Sequence, residues 1–282
     1  MNNKMDDELR FIDFGITDVY RIMAENEALF RIADRSGENI GFIWIPEKSI
    51  NMGYSQLIER ELNLERCKKL NYQITRRISG GGMAFASEKS QVQYGFIGNL
   101  EDSDIPVDMI ESYRRICNII IYALERYGLK GEFKPINDVL CNGKKISGSA
   151  QTRGNRVLLQ HGTILVNFNI KEMLLCCNIP LEKISDKGIK SVEERITDLN
   201  RELKGNVPLD DVKDAMRYGF EKTFNVSLRD DKMTYEERKL ADKLLPKYHD
   251  ENWIFRYTKG GTRSAGLYKL GDEVREFMDS HS

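Results

Sequence analysis

The chain is poor in the residues that most often carry metal and disulfide chemistry. Only three of its 282 residues are histidine (His161, His249 and His281), too few for a multi-histidine metal site. The five cysteines, Cys67, Cys117, Cys141, Cys176 and Cys177, are odd in number and form no Cys-x-x-Cys pair. They read as reduced thiols in a cytoplasm, not as a disulfide frame or zinc site. An excess of one charge is missing too: 43 Lys and Arg against 44 Asp and Glu leave a net charge of -1. No overall field draws the chain to nucleic acid or to an anionic membrane, and neither partner is expected. No apolar run is long enough to cross a bilayer. The segment Met1 to Glu8 has no apolar signal core, so a cytoplasmic rather than secreted protein is expected.

What is present suits a globular core: 40% hydrophobic residues and a mean hydropathy of -0.50. Arg10 to Ile16 is apolar enough for an edge strand, and Thr17 can cap a helix running to about Ala33. Ile40 to Ile45, Tyr72 to Ile78, Val92 to Ile97 and Val157 to Phe168 read as strands, and Leu62 to Leu70 as a short helix. Pro106 opens a longer helix with Ile110, Tyr113, Cys117, Ile120, Leu124 and Tyr127 at helical spacing, ending at Gly128. Asp138 to Ala150 reads as a hairpin about Asn142-Gly143, a pair suited to a type I′ turn. Helices follow over Asp210 to Phe224 and Thr234 to Leu245, the second with a capping box at Thr234-Tyr235-Glu236-Glu237 and a stop at Pro246. The order predicts an α+β protein, a mixed or antiparallel sheet with helices packed on it. Residues 1–257 are expected to form one domain and 258–282 an extension without a readable motif.

Two stretches stand out. In Arg76-Arg77-Ile78-Ser79-Gly80-Gly81-Gly82 a basic strand end runs into consecutive glycines. Without Cβ atoms, backbone N–H groups can turn toward an anion. Ser79 adds a hydroxyl, and Arg76 or Arg77 a charge-assisted donor. A surface turn beside solvated arginines explains the same letters. The spacing fits neither a Walker loop nor a dinucleotide fingerprint. In Gly143-Lys144-Lys145-Ile146-Ser147-Gly148-Ser149-Ala150 a hairpin holds Lys145 near small residues that let another molecule approach. Here the plain alternative is an exposed hairpin lysine. Asn137-Asp138 brings a carboxylate to the same turn, either to orient Lys145 or to meet a metal on phosphates. His161-Gly162-Thr163 interrupts an apolar strand, where a histidine is more often structural than catalytic.

In these motifs the chain resembles the lipoate–protein ligase family, within the biotin/lipoate ligase and octanoyltransferase group. The likeness spans about residues 10 to 257 and includes Lys187-Gly188-Ile189-Lys190-Ser191-Val192-Glu193-Glu194-Arg195-Ile196 and the Lys247-Tyr248 to Trp253 ending. The resemblance implies an ATP-dependent, AMP-forming ligase. Lipoate attacks the α-phosphate, and lipoyl-AMP then acylates a lysine of an acceptor domain. That acceptor is a lipoyl domain of a 2-oxoacid dehydrogenase acyltransferase subunit or a glycine-cleavage H protein. It implies Lys145 as the catalytic group, stabilising charge on the acyl carbonyl and phosphate. It assigns Arg76, Arg77, Ser79, Gly80, Gly81, Gly82, Asn137, Asp138, Ser147, Gly148, His161, Gly162 and Thr163 to ATP and lipoyl-AMP binding, and Asp138 to Mg²⁺. Ile78, Tyr94 and Phe96 are candidates to line the acyl slot.

Three departures qualify the likeness. Phe85 to Gln91 replaces the family's usual aromatic, His-Asp and Gly-Asn after the glycine loop. The roughly 25 residues after Tyr257 are too few for an accessory domain, so a separate accessory subunit is expected. Octanoyltransferases use a cysteine thioester; the corresponding neighbourhoods here, Leu129 to Glu132 and Pro180-Leu181, hold no cysteine, and Cys141 and Cys176-Cys177 are the nearest substitutes.

Overall fold

The computed structural model describes residues 7–102, 104–180 and 184–257. The predicted 258–282 extension lies outside the described residues. In chain order the strands are β1 (Glu8–Thr17), β2 (Ile40–Pro46), β3 (Ser49–Met52), β4 (Gln73–Arg76), β5 (Ala84–Ala86), β6 (Gln91–Asn99), β7 (Gly131–Lys134), β8 (Asp138–Cys141), β9 (Lys144–Arg153), β10 (Val157–Leu165) and β11 (Ser227–Asp230). The helices are α1 (Val19–Ser36), α2 (Ile58–Glu61), α3 (Leu64–Lys69), α4 (Met109–Glu125), α5 (Ile170–Cys176), α6 (Asp186–Glu193), α7 (Leu199–Leu203), α8 (Leu209–Phe224), α9 (Tyr235–His249) and α10 (Glu251–Ile254).

Eight strands form one mixed sheet in the order β11-β1-β2-β6-β10-β9-β8-β7; only the β11-β1 and β1-β2 pairs are parallel. A second sheet, β4-β3-β5, sits apart from it. This is the expected α+β class. One face of the large sheet packs Phe11, Tyr94 and Phe96 against Ile116 and Ile120 of α4 and Phe220 and Phe224 of α8. The other face packs Phe42, Trp44 and Leu159 against Ile22 and Met23 of α1 and Leu244 and Tyr248 of α9. The small sheet has its own core, in which Ile50, Met52, Tyr72 and Phe85 meet Phe168 and Met173.

Several boundaries differ from expectation for local reasons. Asp18, not Thr17, caps α1: its carboxylate accepts from the Tyr20 and Arg21 amides at 3.0 Å each. The helix continues to Ser36 because Gly37, at φ 78°, closes it. β1 is not an edge strand; β11 pairs outside it. Tyr72 to Ile78 shortens to β4, because Arg77 and Ser79 turn into the glycine loop. Pro246 does not end its helix but lies inside α9. Lys247 and Tyr248 both donate to Glu27, holding the last turn on α1, and Thr75 Oγ donates to the Tyr248 carbonyl at 2.9 Å. The capping box at Thr234 and Glu237 forms as expected.

Candidate active site

The cleft lies between the two sheets. One cross-strand row of the large sheet, Trp44 on β2, Gln93 on β6 and Thr163 on β10, forms its floor. Gln91 and Leu165 make the adjacent pair. Asn51, Gly82, Met83 and Phe85 close it from the small sheet, and Lys145, Gly148 and Ala150 stand at the β9 end. Its volume is about 140 Å³, close to the ~150 Å³ that admits a benzene-sized guest.

Lys145 reaches this cleft through a β-bulge. Val139 pairs with Ser147 and Leu140 with Lys145, so β9 carries one extra residue. Ile146 packs in the core with Val139 and Cys141, and Ser147 is fully buried outside the cleft lining. The bulge therefore brings Lys145 onto the same side as Gly148 and Ala150. It is braced by residues 195–197: Lys145 N donates to the Arg195 carbonyl at 2.7 Å, and Thr197 N donates to the Lys145 carbonyl at 2.9 Å. The Lys187 to Ile196 motif thus ends beside the lysine's own backbone. Lys145 Nζ sits 2.8 Å from Asp138 Oδ1, with the lysine side chain 25% exposed. A Cβ on Gly148 would lie 2.9 Å from Lys145 Cε, so glycine leaves the space in which the lysine lies. Asn137 fixes the strand entry, its Nδ2 donating to the Ser149 carbonyl at 2.5 Å.

The glycine loop is held from inside. Arg77 donates to the carbonyls of Asn51, Gly80 and Gly82 at 2.8, 2.7 and 2.6 Å, and to Ser79 Oγ at 3.1 Å. Burial first, and the nearby Arg76 charge, pull the Arg77 guanidinium down to about 10. Arg76 points elsewhere, donating to the carbonyls of Ile254, Gly53 and Tyr54. Ser79 Oγ meets His161 Nε2 at 2.5 Å. Burial, with the Arg77 charge adding to it, pushes His161 down to about 3, so the imidazole is neutral at physiological pH. Gly162 is required because a Cβ there would fall 2.6 Å from Ser149 Oγ and 2.8 Å from the Gly148 carbonyl oxygen.

Of the residues singled out in the sequence, Lys145, Asn137, Gly148, His161, Gly162, Thr163, Arg77 and Gly82 line one cleft. Asp138 joins through Lys145, and Ser79 through His161. Gly80 and Gly81 lie in the same loop; Gly81 is at φ 87° with its carbonyl against Gly53. The Arg76 and Ser147 side chains are not brought to the cleft. Nor are Ile78, Tyr94 and Phe96: on β6 the alternate residues Gln91 and Gln93 face the cleft, while Tyr94 and Phe96 pack under α8. Trp44, Asn51, Met23, Gln91 and Gln93 line it without having been singled out, and no short motif marks them.

No cysteine lines the cleft, and all five are buried. Burial pushes Cys117 up to about 12 and Cys141 to about 11. The Cys67 thiol is lowered by its hydrogen bond with Cys176, but both belong to the small-sheet core. Among the described residues no three His, Cys, Asp or Glu side chains gather as a metal cage. Asp138 brings one carboxylate to Lys145, which fits magnesium carried largely on nucleotide phosphates.

A hairpin lysine and a glycine loop thus face one cleft between a large mixed sheet and a small one. The family model for the lipoyl protein ligase A/B catalytic domain matches residues 18–221, and the chain belongs to that family. It is 28% identical over 242 residues to lipoate-protein ligase A subunit 1 of Thermoplasma acidophilum, covering 82% of this chain and 90% of that one. It is 26% identical over 273 residues to octanoyltransferase LipM of Geobacillus kaustophilus, covering 88% and 98%. Among solved structures it is similar to the bi-partite lipoate protein ligase of the archaeal lipoylation system of T. acidophilum, with TM-score 0.80, 26% identity, and 93% and 100% coverage. It shares the fold of a lipoate-protein ligase A bound with ATP, with TM-score 0.76, 23% identity, and 88% and 98% coverage. Among the described residues no helix is long and apolar enough to cross a membrane.

Proposed function

We propose that this chain is the catalytic subunit of an ATP-dependent lipoate–protein ligase. The observation that carries the reading is a cleft holding Lys145 at 2.8 Å from Asp138 and no thiol among its lining residues. The acid's carboxylate oxygen attacks the α-phosphorus of ATP, and the bond to pyrophosphate breaks. The acceptor lysine's amine then attacks the acyl carbonyl of the mixed anhydride, AMP leaves, and the amine loses its proton. Lys145 holds the negative charge that develops on the carbonyl and phosphate oxygens. Asp138 orients that ammonium, and the Gly80–Gly82 backbone closes over the acyl-phosphate. Asp138 would meet magnesium brought by the nucleotide, and that ion would neutralise phosphate charge. His161, neutral and joined to Ser79, positions the loop and moves no proton.

The acceptor in this reading is a lipoyl domain of a 2-oxoacid dehydrogenase or a glycine-cleavage H protein. A separate accessory subunit supports activation; the likeness to a subunit of a bi-partite ligase motivates that role. A second reading, octanoyl transfer from a carrier protein, is favoured by the likeness to octanoyltransferase LipM. It needs a nucleophilic cysteine, for which Cys141, Cys176 and Cys177 are buried substitutes. The test is the intact mass of an acceptor domain after incubation with lipoate plus Mg-ATP, with lipoyl-AMP, or with octanoyl-carrier protein. A lipoyl shift with the first two shows a self-sufficient ligase. A shift with lipoyl-AMP alone shows that activation needs another subunit. A shift with octanoyl-carrier protein alone overturns the ligase reading.

A further inference from the structure

The strand that carries Lys145 parts from its neighbour at the glycines. β9 pairs with β10 from Arg153 and Leu158 only as far as Ser149 and Gly162. Beyond that point Lys145 pairs with Ile196 instead, in the strap of residues 194–198 between α6 and α7. The strap takes the place that β10 gives up, and Gly148, Gly162 and Ile196 line the cleft at this fork.

One side chain closes the strap onto the hairpin. Glu202 Oε1 accepts from Thr197 Oγ1 at 2.5 Å, and Glu202 Oε2 accepts from Asn142 Nδ2 at 2.5 Å. An ionised carboxylate only accepts, so the hydroxyl and the amide nitrogen are the donors. Thr197 is the residue whose N–H binds the Lys145 carbonyl. Asn142 is in the hairpin turn, three residues before the lysine. Lys145, Thr197, Glu202 and Asn142 thus close a ring of contacts about the lysine's backbone. The strap is fixed to the opposite wall as well: Asp198 Oδ2 accepts from Phe168 N at 3.0 Å, and Arg201 donates to the Phe168 carbonyl at 3.2 Å. Thr197 is buried, whereas Glu202 is half-buried and does not line the cleft.

We infer that Glu202 is a positioning residue for Lys145: its carboxylate latches the strap to the hairpin and so holds the lysine's backbone at the fork. The inference rests on the acyl-adenylate reading above. Without the latch the hairpin turn and the strap move separately, and a displacement well under an ångström at the reacting group is enough to slow the chemistry.

The experiment follows transfer from lipoyl-AMP to an acceptor domain by intact mass, with kcat and KM resolved and a thermal melt beside each measurement. The full chain is compared with Glu202→Ala, Glu202→Gln, Thr197→Val, the Glu202→Ala and Thr197→Val double variant, and Lys145→Ala. Glu202→Ala is expected to lower kcat about tenfold, with KM for the acceptor within about twofold. Glu202→Gln keeps an acceptor for one of the two donors and should lose only about threefold. Thr197→Val should match Glu202→Ala, and the double variant should be no slower than either, because both remove the same latch. Should Glu202→Ala or Thr197→Val lose its fold, Glu202→Gln decides, and a native kcat there overturns the inference. A native kcat in folded Glu202→Ala, or a loss that glutamine does not lessen, also overturns it, while a slow Lys145→Ala leaves the acyl-adenylate reading standing. No transfer from lipoyl-AMP by the native chain, or Lys145→Ala at the native rate, overturns that reading and the inference with it.

Discussion

Gly148→Ala tests the placement of Lys145 without touching the lysine. The new Cβ would stand 2.9 Å from Lys145 Cε and 3.0 Å from Nζ. Carbon atoms pack at about 3.5 Å or more, so the lysine end must retreat by about 0.6 Å, the difference between 3.5 and 2.9. Its path is free, because the clash is with the far end of a flexible side chain and not with backbone. Stability should therefore change by less than about 1 kcal/mol. Catalysis is less forgiving: a misplacement of ~1 Å costs on the order of 10²-fold, so 0.6 Å predicts a loss of about tenfold in kcat/KM for transfer from lipoyl-AMP. Lys145→Ala should cost about 10²–10³-fold by the measure of a lost charge-stabilising donor. The assay is intact-mass kinetics on an acceptor domain, with a thermal melt beside it. A Gly148→Ala enzyme working at the native rate, with its melt unchanged, would refute the claim that Lys145 acts from its place beside Asp138.

Arg77→Met should loosen the glycine loop, since the guanidinium holds three of its neighbouring carbonyls and Ser79. A loss of about 3 kcal/mol or more in urea unfolding is expected, because buried carbonyls lose a charged donor, and Arg77→Lys should not hold the loop in its place. Gly53→Ala places a Cβ 1.8 Å from the Gly81 carbonyl oxygen, a backbone clash; a melting temperature within two or three degrees of native, about 1 kcal/mol, would contradict that packing. His161 is held down to about 3 from its ordinary 6.5, so below 6.5 the unfolded chain takes up a proton that the native state refuses. Its contribution to stability is whole above pH 6.5 and is lost as pH falls toward 3, at up to about 1.4 kcal/mol per unit. His161→Gln should flatten that part of the pH–stability curve relative to the native chain. Cys141→Ala should leave acyl transfer within about twofold of native while costing about 1–2 kcal/mol of core packing; lost transfer with a retained fold would favour the thioester reading.

Turn chemistry made much of the fold legible. Asn142 and Gly143 take φ values of 50° and 77°, as the Asn-Gly pair demands of a type I′ turn. The Thr234 capping box also reads directly from its letters. Faces were harder. β6 is buried along nearly its whole length, so apolar content could not tell Tyr94 and Phe96 from the side occupied by Gln91 and Gln93. Arginine was ambiguous for a different reason. A basic pair before glycines suits an anion, but it equally suits backbone carbonyls: Arg77 serves those of Gly80 and Gly82 in the turn, and Arg76 those of Gly53, Tyr54 and Ile254. Pro246 misled because a proline's missing N–H matters less once α1 and β4 hold the end of α9. Trp44, Asn51 and Gln91 are not legible in the sequence because they belong to separate strands of two sheets and come together only where those sheets face each other across the cleft.

The extra residue in β9 means that the side on which the reactive ammonium emerges is set by a count, not by the lysine itself. Deleting Ile146 would restore strict alternation with β8 and still leave Lys145 on the side of Gly148, whereas pairing β9 regularly with Ile146 in place would turn the ammonium away. A working copy of this site must therefore match the interval from Lys145 to Gly148 to the bulge between them, whatever the intervening residues. A designer moving the site to another hairpin would have to transplant the irregularity together with the side chain.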